Sequence, residues 1–290
     1  MFALKKEMLS FIPINIGIPF RRSWRVAALM LSLLATTATA QPATASTAQA
    51  SQTDPKAEEI MNRAIEVLGG SKYVNVSTVI GRGFYTAYQE GMSQIPARFL
   101  DYIAYPDRER TEFTGGGARV IQTNSGETGW VFDGAAKTIN DMKSEQIEDF
   151  KRSMRTSVEN LLRGWWRKEN GTVKYVGRRE AGLAKRNETV RLTYPDGFWI
   201  EYEFGAKDGL PAKIIYKRTR KNPDSGDSEE VTDEERLAKP ITIDGVTAPW
   251  VIDHFTNKIQ TSRTNFESIE YNHALPDSLF SKPENVKSIK

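Results

Sequence analysis

The chain of 290 residues has no cysteine and only two histidines, His254 and His273. The first absence excludes disulfides, a catalytic thiolate, cysteine-ligated metal and a lipid anchor on an N-terminal cysteine. The second leaves little for imidazole chemistry. The histidines fall in different expected elements, and no carboxylate set is spaced to converge on either, so neither a metal nor a general-base site is expected. Gly115-Gly116-Gly117 lacks the Lys-Ser/Thr and the helix start of a phosphate loop, and reads as a hairpin loop. Ser278 and Ser281 sit in the tail without a nucleophile elbow or a serine–lysine motif. No catalytic residue, metal or cofactor is expected, and the chain reads as non-enzymatic.

A single-sign charge excess is also lacking. The formal net charge is +3, but residues 1–40 hold five basic side chains against one acidic. The other 250 residues therefore carry 35 basic and 36 acidic groups. The basic balance records the N-terminal segment and not an affinity for nucleic acid, which is excluded as a partner. Arg21-Arg22-Ser23-Trp24-Arg25 precedes an apolar run from Val26 to Ala35, and Ala38-Thr39-Ala40 supplies a small-x-small cleavage pattern. This is the layout of a cleaved secretory signal peptide over 1–40. The run of about ten apolar residues falls well short of the roughly 20 that span a bilayer. Residues 41–53 are almost all Ala, Thr, Ser and Gln, the composition of a disordered tether. One folded domain over 54–290 follows, exported to the periplasm.

Within that domain Asp54-Pro55 reads as an N-cap and first helical position. Ile60, Met61, Ala64, Ile65 and Leu68 fall at helical spacing, and Gly69-Gly70 stops the helix. Nearly everything afterwards alternates as strand, in about ten or eleven short segments joined by turn residues, which argues an antiparallel barrel. Gly81 and Gly83 inside the first strand read as curvature devices. One amphipathic helix interrupts the series, Ser144 to about Trp165. Ser144 is its expected cap, and its stripe is Ile147, Phe150, Met154, Val158, Leu161 and Trp165. Residues 220–235, highly charged and holding Pro223 and Gly226, are expected as a long exposed loop. Near the C-terminus Asn257-Lys258 reverses a hairpin. Phe266 and Ile269 lie an odd number of residues apart, which predicts a bulge between them.

The C-terminal stretch also carries a resemblance. Asp244-Gly245-Val246 with Pro249, then Phe266, Tyr271-Asn272, Leu275-Pro276-Asp277-Ser278-Leu279-Phe280 and Pro283 resemble the C-terminal signature of the outer-membrane lipoprotein carrier (LolA/LolB-like) superfamily. The resemblance covers about Asp54 to Lys290. It implies a mainly β (α+β) fold, a strongly curved open antiparallel half-barrel, with the N-terminal helix and the inserted amphipathic helix as plug or lid. It also implies a cavity for acyl chains of lipids or lipoproteins, in a monomeric carrier. The alternative is an envelope sensor or interaction module whose groove reads a protein segment, with envelope membrane proteins as partners. Aromatic and apolar residues spread over strands and helix are the candidate lining: Phe84, Phe99, Tyr102, Trp130, Phe132, Phe150, Met154, Trp165 and Trp250. The competing account of these side chains is plain core packing.

Overall fold

Asp54 opens the first helix, its carboxylate accepting the backbone N–H groups of Lys56 (2.8 Å) and Ala57 (3.3 Å), with Pro55 at the first helical position. The computed structural model describes residues 53–222 and 225–289, so the expected signal peptide and all but the last residue of the expected linker lie outside the described residues. That last residue, Thr53, pairs in parallel with Val173. Helix α1 (Pro55–Leu68) buries Ala57 and four residues of the expected stripe, Ile60, Met61, Ala64 and Leu68, while Ile65 is partly buried. It ends at Gly69, whose φ of 125° only glycine adopts freely, and a Cβ there would strike the Gly245 carbonyl. A single turn follows, α2 (Ser71–Val74).

Seven strands come next: β1 (Thr78–Gln89), β2 (Met92–Ser93), β3 (Ala97–Ala104), β4 (Arg108–Gly115), β5 (Ala118–Ser125), β6 (Thr128–Asp133) and β7 (Thr138–Asp141). A helical insertion holds α3 (Ser144–Thr156), α4 (Val158–Leu162) and a 3₁₀ turn at Trp165–Glu169. Seven more strands complete the sheet: β8 (Thr172–Glu180), β9 (Arg186–Thr193), β10 (Trp199–Gly205), β11 (Pro211–Lys221), β12 (Ser228–Ile243), β13 (Val246–Thr256) and β14 (Ile259–Tyr271). All pairs are antiparallel, in the order β7-β6-β5-β4-β3-β1-β14-β13-β12-β11-β10-β9-β8, with β2 folded back on β1. The sheet does not close. Its two free edges, β7 and β8, are the strands that flank the helical insertion in the chain, so the helices enter where the barrel stays open.

Curvature is set where the first and last strands meet. The β1–β14 register shifts between Arg82 and Gly83, which leaves Glu267 as the extra residue of a bulge and turns both Phe266 and Ile269 inward. Gly83 is required there, because a Cβ would run into the Asn265 carbonyl oxygen. Asn257 and Lys258 take φ of 49° and 70°, the positive values of the tight turn expected for this hairpin. The inner face, with α1 and α4, holds the main core, including Tyr85, Phe99, Tyr202, Phe204, Ile252 and Phe266. A second, smaller core lies on the outer face of β5 and β6. There Ile121, Trp130 and Phe132 meet Val286 and Ile289 of the C-terminal tail, and the Trp130 indole N–H donates to the Phe280 carbonyl at 3.0 Å.

Four sequence expectations are corrected. Among the described residues the sheet has 14 strands and not ten or eleven; β2 and β7, of two and four residues, are too short to leave a periodic signal. The charged stretch 220–235 is not a long loop. β11 and β12 run through most of it, because cross-strand pairs such as Arg220 with Glu229 (2.7 Å) and Lys217 with Glu230 (2.6 Å) let charged residues occupy a ladder. The amphipathic helix is broken at Ser157, which is extended (φ −64°, ψ 151°). The Thr156 hydroxyl bonds back to the Arg152 carbonyl at 3.0 Å and that of Ser157 to the Met154 carbonyl at 2.8 Å. The Ser157 oxygen then accepts the Asn160 N–H at 3.1 Å and caps a new helix. Local side-chain bonding thus outcompetes helix propagation. At the other end the capping position falls on Lys143, whose N–H is held by the Gln146 side chain at 2.9 Å, and Ser144 is already helical.

Candidate functional site

The break at Ser157 turns α4 away from the line of α3 and over the inner face of the second half of the sheet. Between α4, the C-terminal end of α1 and strands β9–β13 lies a cavity of about 700 Å³, within the roughly 300–1,000 Å³ typical of small-molecule pockets. Its floor is largely apolar, with Leu68 and Tyr73 from the N-terminal helices, Val158 from α4, and Ile214, Leu237 and Ala248 from the sheet, beside the carboxylates of Glu159 and Glu235. Leu68, Tyr73, Ile214 and Ala248 are each no more than 4% exposed, so the floor belongs to the main core. Burial pushes the Tyr73 phenol well up, against a smaller opposing pull from the Arg163 guanidinium, and it stays neutral at any physiological pH. The Arg163 guanidinium ties the helices to this wall by donating to the carbonyls of Tyr73 (3.0 Å) and Val76 (2.6 Å).

The rim is made of turns. The β8–β9 turn gives Lys185 and Arg186, the β10–β11 turn gives Lys207 and Asp208, and an irregular point in β12 gives Lys239, which takes a φ of 52°. Arg63 of α1 fastens the β10–β11 turn by donating to the carbonyls of Ala206 (3.2 Å) and Lys207. An apolar floor beneath a polar rim can hold an apolar chain and leave a polar head in water.

None of the nine aromatic and apolar residues singled out in the sequence lines this cavity, and they fall in several separate places. Phe99 lies on the inner face, edge-to-face with Phe266 at 5.3 Å, and Trp250 packs half-buried against the same core. Phe84 and Tyr102 point to the outer face, half-buried, with the Arg98 guanidinium over the Phe84 ring at 4.6 Å. Trp130 and Phe132 face the tail. On α3, Phe150 is buried and Met154 half-buried. Trp165 packs half-buried on Tyr105 at 5.5 Å, while the adjacent Trp166 is wholly buried. The physical reason is that aromatic content marks burial, and both faces of β5 and β6 are buried: Trp130 and Val131, neighbours on opposite faces, are each 3% exposed. The residues that do form the cavity are small aliphatics and turn lysines, which carry no motif. The turn signals Lys207-Asp208-Gly209 and Asp244-Gly245 point toward that end of the sheet, and the first of them contributes to the rim.

The histidines are apart. His254 is buried on the inner face with Nδ1 3.8 Å from Glu235, and His273 is on the surface with Nε2 3.4 Å from Glu270. Among the described residues no three His, Asp or Glu side chains gather to hold a metal.

The fold is similar to several solved structures at low sequence identity. It matches a DUF1329 family protein from Desulfovibrio piger with a TM-score of 0.52 at 12% identity, over 78% of this chain and 97% of that one. It matches an outer membrane lipoprotein-sorting protein domain from Vibrio parahaemolyticus with a TM-score of 0.50 at 11% identity, over 78% and 97%. A LolA superfamily protein from Nitrosomonas europaea aligns at 15% identity over the same shares, with a TM-score of 0.49. No family model and no curated protein sequence matches the chain. The architecture is therefore an open, curved antiparallel half-barrel, the fold class expected from the sequence.

Proposed function

We propose that this chain is a non-enzymatic carrier of acyl-chain ligands, lipids or lipidated proteins, exported to the periplasm and holding its ligand in the cavity between α4 and β9–β13. The observation that carries this reading is the cavity itself, about 700 Å³ with a floor built from core side chains. An apolar chain entering it gains about 0.8 kcal/mol per buried CH₂, and no bond needs to be made or broken. The sorting role named for the Vibrio domain of the same fold supports a lipoprotein cargo, and the leader-like segment over 1–40 supports export.

The test is fluorescence titration of the mature chain with a fluorescent fatty acid. Saturable binding at one site is expected. Leu210→Asn, which places an amide at the cavity edge on a half-buried position, should weaken it at least tenfold with little change in melting temperature. A wild-type chain that binds no apolar probe, and co-purifies from the envelope with a stoichiometric protein partner, would replace the carrier by an interaction module.

A further inference from the structure

The rim of the cavity has more positive charge than its own carboxylates neutralise. Arg186 pairs with Glu180 at 3.1 Å, Arg236 pairs with Glu234, and Lys213 lies 3.8 Å from Glu203. Lys185, Lys207 and Lys239 remain, and among the described residues none of the three ammonium groups has a carboxylate within 4.0 Å. All three are exposed, and they come from three separate segments at one end of the sheet, around the mouth of one cavity. Three further carboxylates line the cavity: Asp208 accepts the Leu210 N–H at 3.1 Å and belongs to the turn, Glu159 is 2% exposed on α4, and Glu235 lies deeper beside His254. Elsewhere on the sheet many arginines are held by carboxylates, while Lys174, Lys221 and Lys258 have none within 4.0 Å among the described residues but stand outside the cavity lining. Arg179 and Arg191 share Glu201, Arg218 pairs with Asp233, and Arg263 pairs with Asp253. The charge outside residues 1–40 is nearly balanced, so unneutralised cations gathered at one apolar opening are a local feature and not a consequence of composition.

We propose that the cavity selects amphiphiles with an anionic head, the apolar tail lying on the Leu68–Ile214–Leu237 floor and the phosphate or carboxylate held at the mouth by Lys185, Lys207 and Lys239. The proposal rests on the carrier reading and narrows its ligand class. Flexible ammonium groups suit it, because a lysine is a hydrated point charge that follows an anionic group without demanding one geometry. Attraction by exposed charges is screened over about 10 Å at 0.1 M salt, so the preference should fall as salt is raised while the apolar contribution persists.

Two lysolipids of identical acyl chain, lysophosphatidylglycerol and lysophosphatidylcholine, each below its micelle concentration, are titrated into the mature wild-type chain and into the triple variant Lys185→Gln/Lys207→Gln/Lys239→Gln. Glycerol 1-phosphate serves as the head without a tail. Wild type should bind the anionic lysolipid at least tenfold tighter at low salt, with the gap closing by 0.5 M salt. The triple variant should bind both equally, at the wild-type affinity for the choline lipid, and melt at the wild-type temperature, since none of the three side chains holds the fold together. Equal affinity of wild type for both lipids, or a preference that survives the triple substitution, overturns the anionic-head inference and leaves the carrier reading standing. Failure to bind either lysolipid overturns both. Competition by glycerol 1-phosphate as strong as by the lysolipid would make the rim a site for free phosphate and overturn the amphiphile assignment.

Discussion

Asp101 is 1% exposed on the inner face of β3, with the Thr111 hydroxyl donating to it at 2.8 Å. Burial raises its pKa from 3.8 to about 7, partly offset by that hydrogen bond and one from the Tyr102 backbone. Between those values the folded chain holds a proton that the unfolded chain releases, so the stabilising contribution is complete below the lower value and is lost as pH rises through the upper one. Asp101→Asn, which fixes a neutral group, should therefore gain on wild type by about 1.4 kcal/mol per pH unit across that window. Urea denaturation from pH 4 to 8 reads this directly, and a constant difference would show that Asp101 does not titrate there. Gly83 is the second sensitive residue. Ala at this position meets the Asn265 carbonyl and should cost roughly 1–3 kcal/mol, as overpacking does; an unchanged denaturation midpoint would mean that the bulge adjusts freely.

Which elements were legible in the sequence follows from how each is held. The Asn257-Lys258 hairpin and the bulge between Phe266 and Ile269 announce themselves because turn chemistry and a two-residue period are local rules. The α1 cap and its glycine stop are legible for the same reason. The break at Ser157 was hidden by an apolar stripe that continues across it, and β11–β12 were hidden by charges that only pairing across the ladder explains. The cavity that the resemblance implies could not be located from the sequence, because its lining comes from turns and small aliphatics brought together by the long-range path of the sheet. Ser157→Ala removes the acceptor for the Asn160 N–H and should cost about 0.5–2 kcal/mol, the usual range for a lost cap. Met154→Ala, at a half-buried position on α3, should cost less than the roughly 2–5 kcal/mol of a core truncation. Chemical denaturation checks both, and a larger loss for Met154→Ala than for Ser157→Ala would place α3 deeper in the core than its exposure indicates.

At the level of the whole molecule, the C-terminal tail completes the outer face. Arg108 pairs with Asp277 at 2.6 Å, Lys282 with Asp141 at 2.7 Å, and Val286 and Ile289 cover Trp130 and Phe132. Ending the chain at Asn272 should lower the melting temperature by several degrees and shift tryptophan emission to the red. Unchanged emission would mean that Trp130 is shielded without the tail. Apart from β1 with β14, and β1 with β3 across the short β2, the ladders join strands that follow one another in the chain. Consider what this means on the ribosome. Hairpins on either side of the insertion can form as they emerge, yet one edge of β1 has no partner until the strand ending at Tyr271 is made. For most of synthesis that edge is a row of open N–H and C=O groups of the kind that recruits foreign strands. The nascent protein is thus most vulnerable along the line that becomes the middle of its finished sheet.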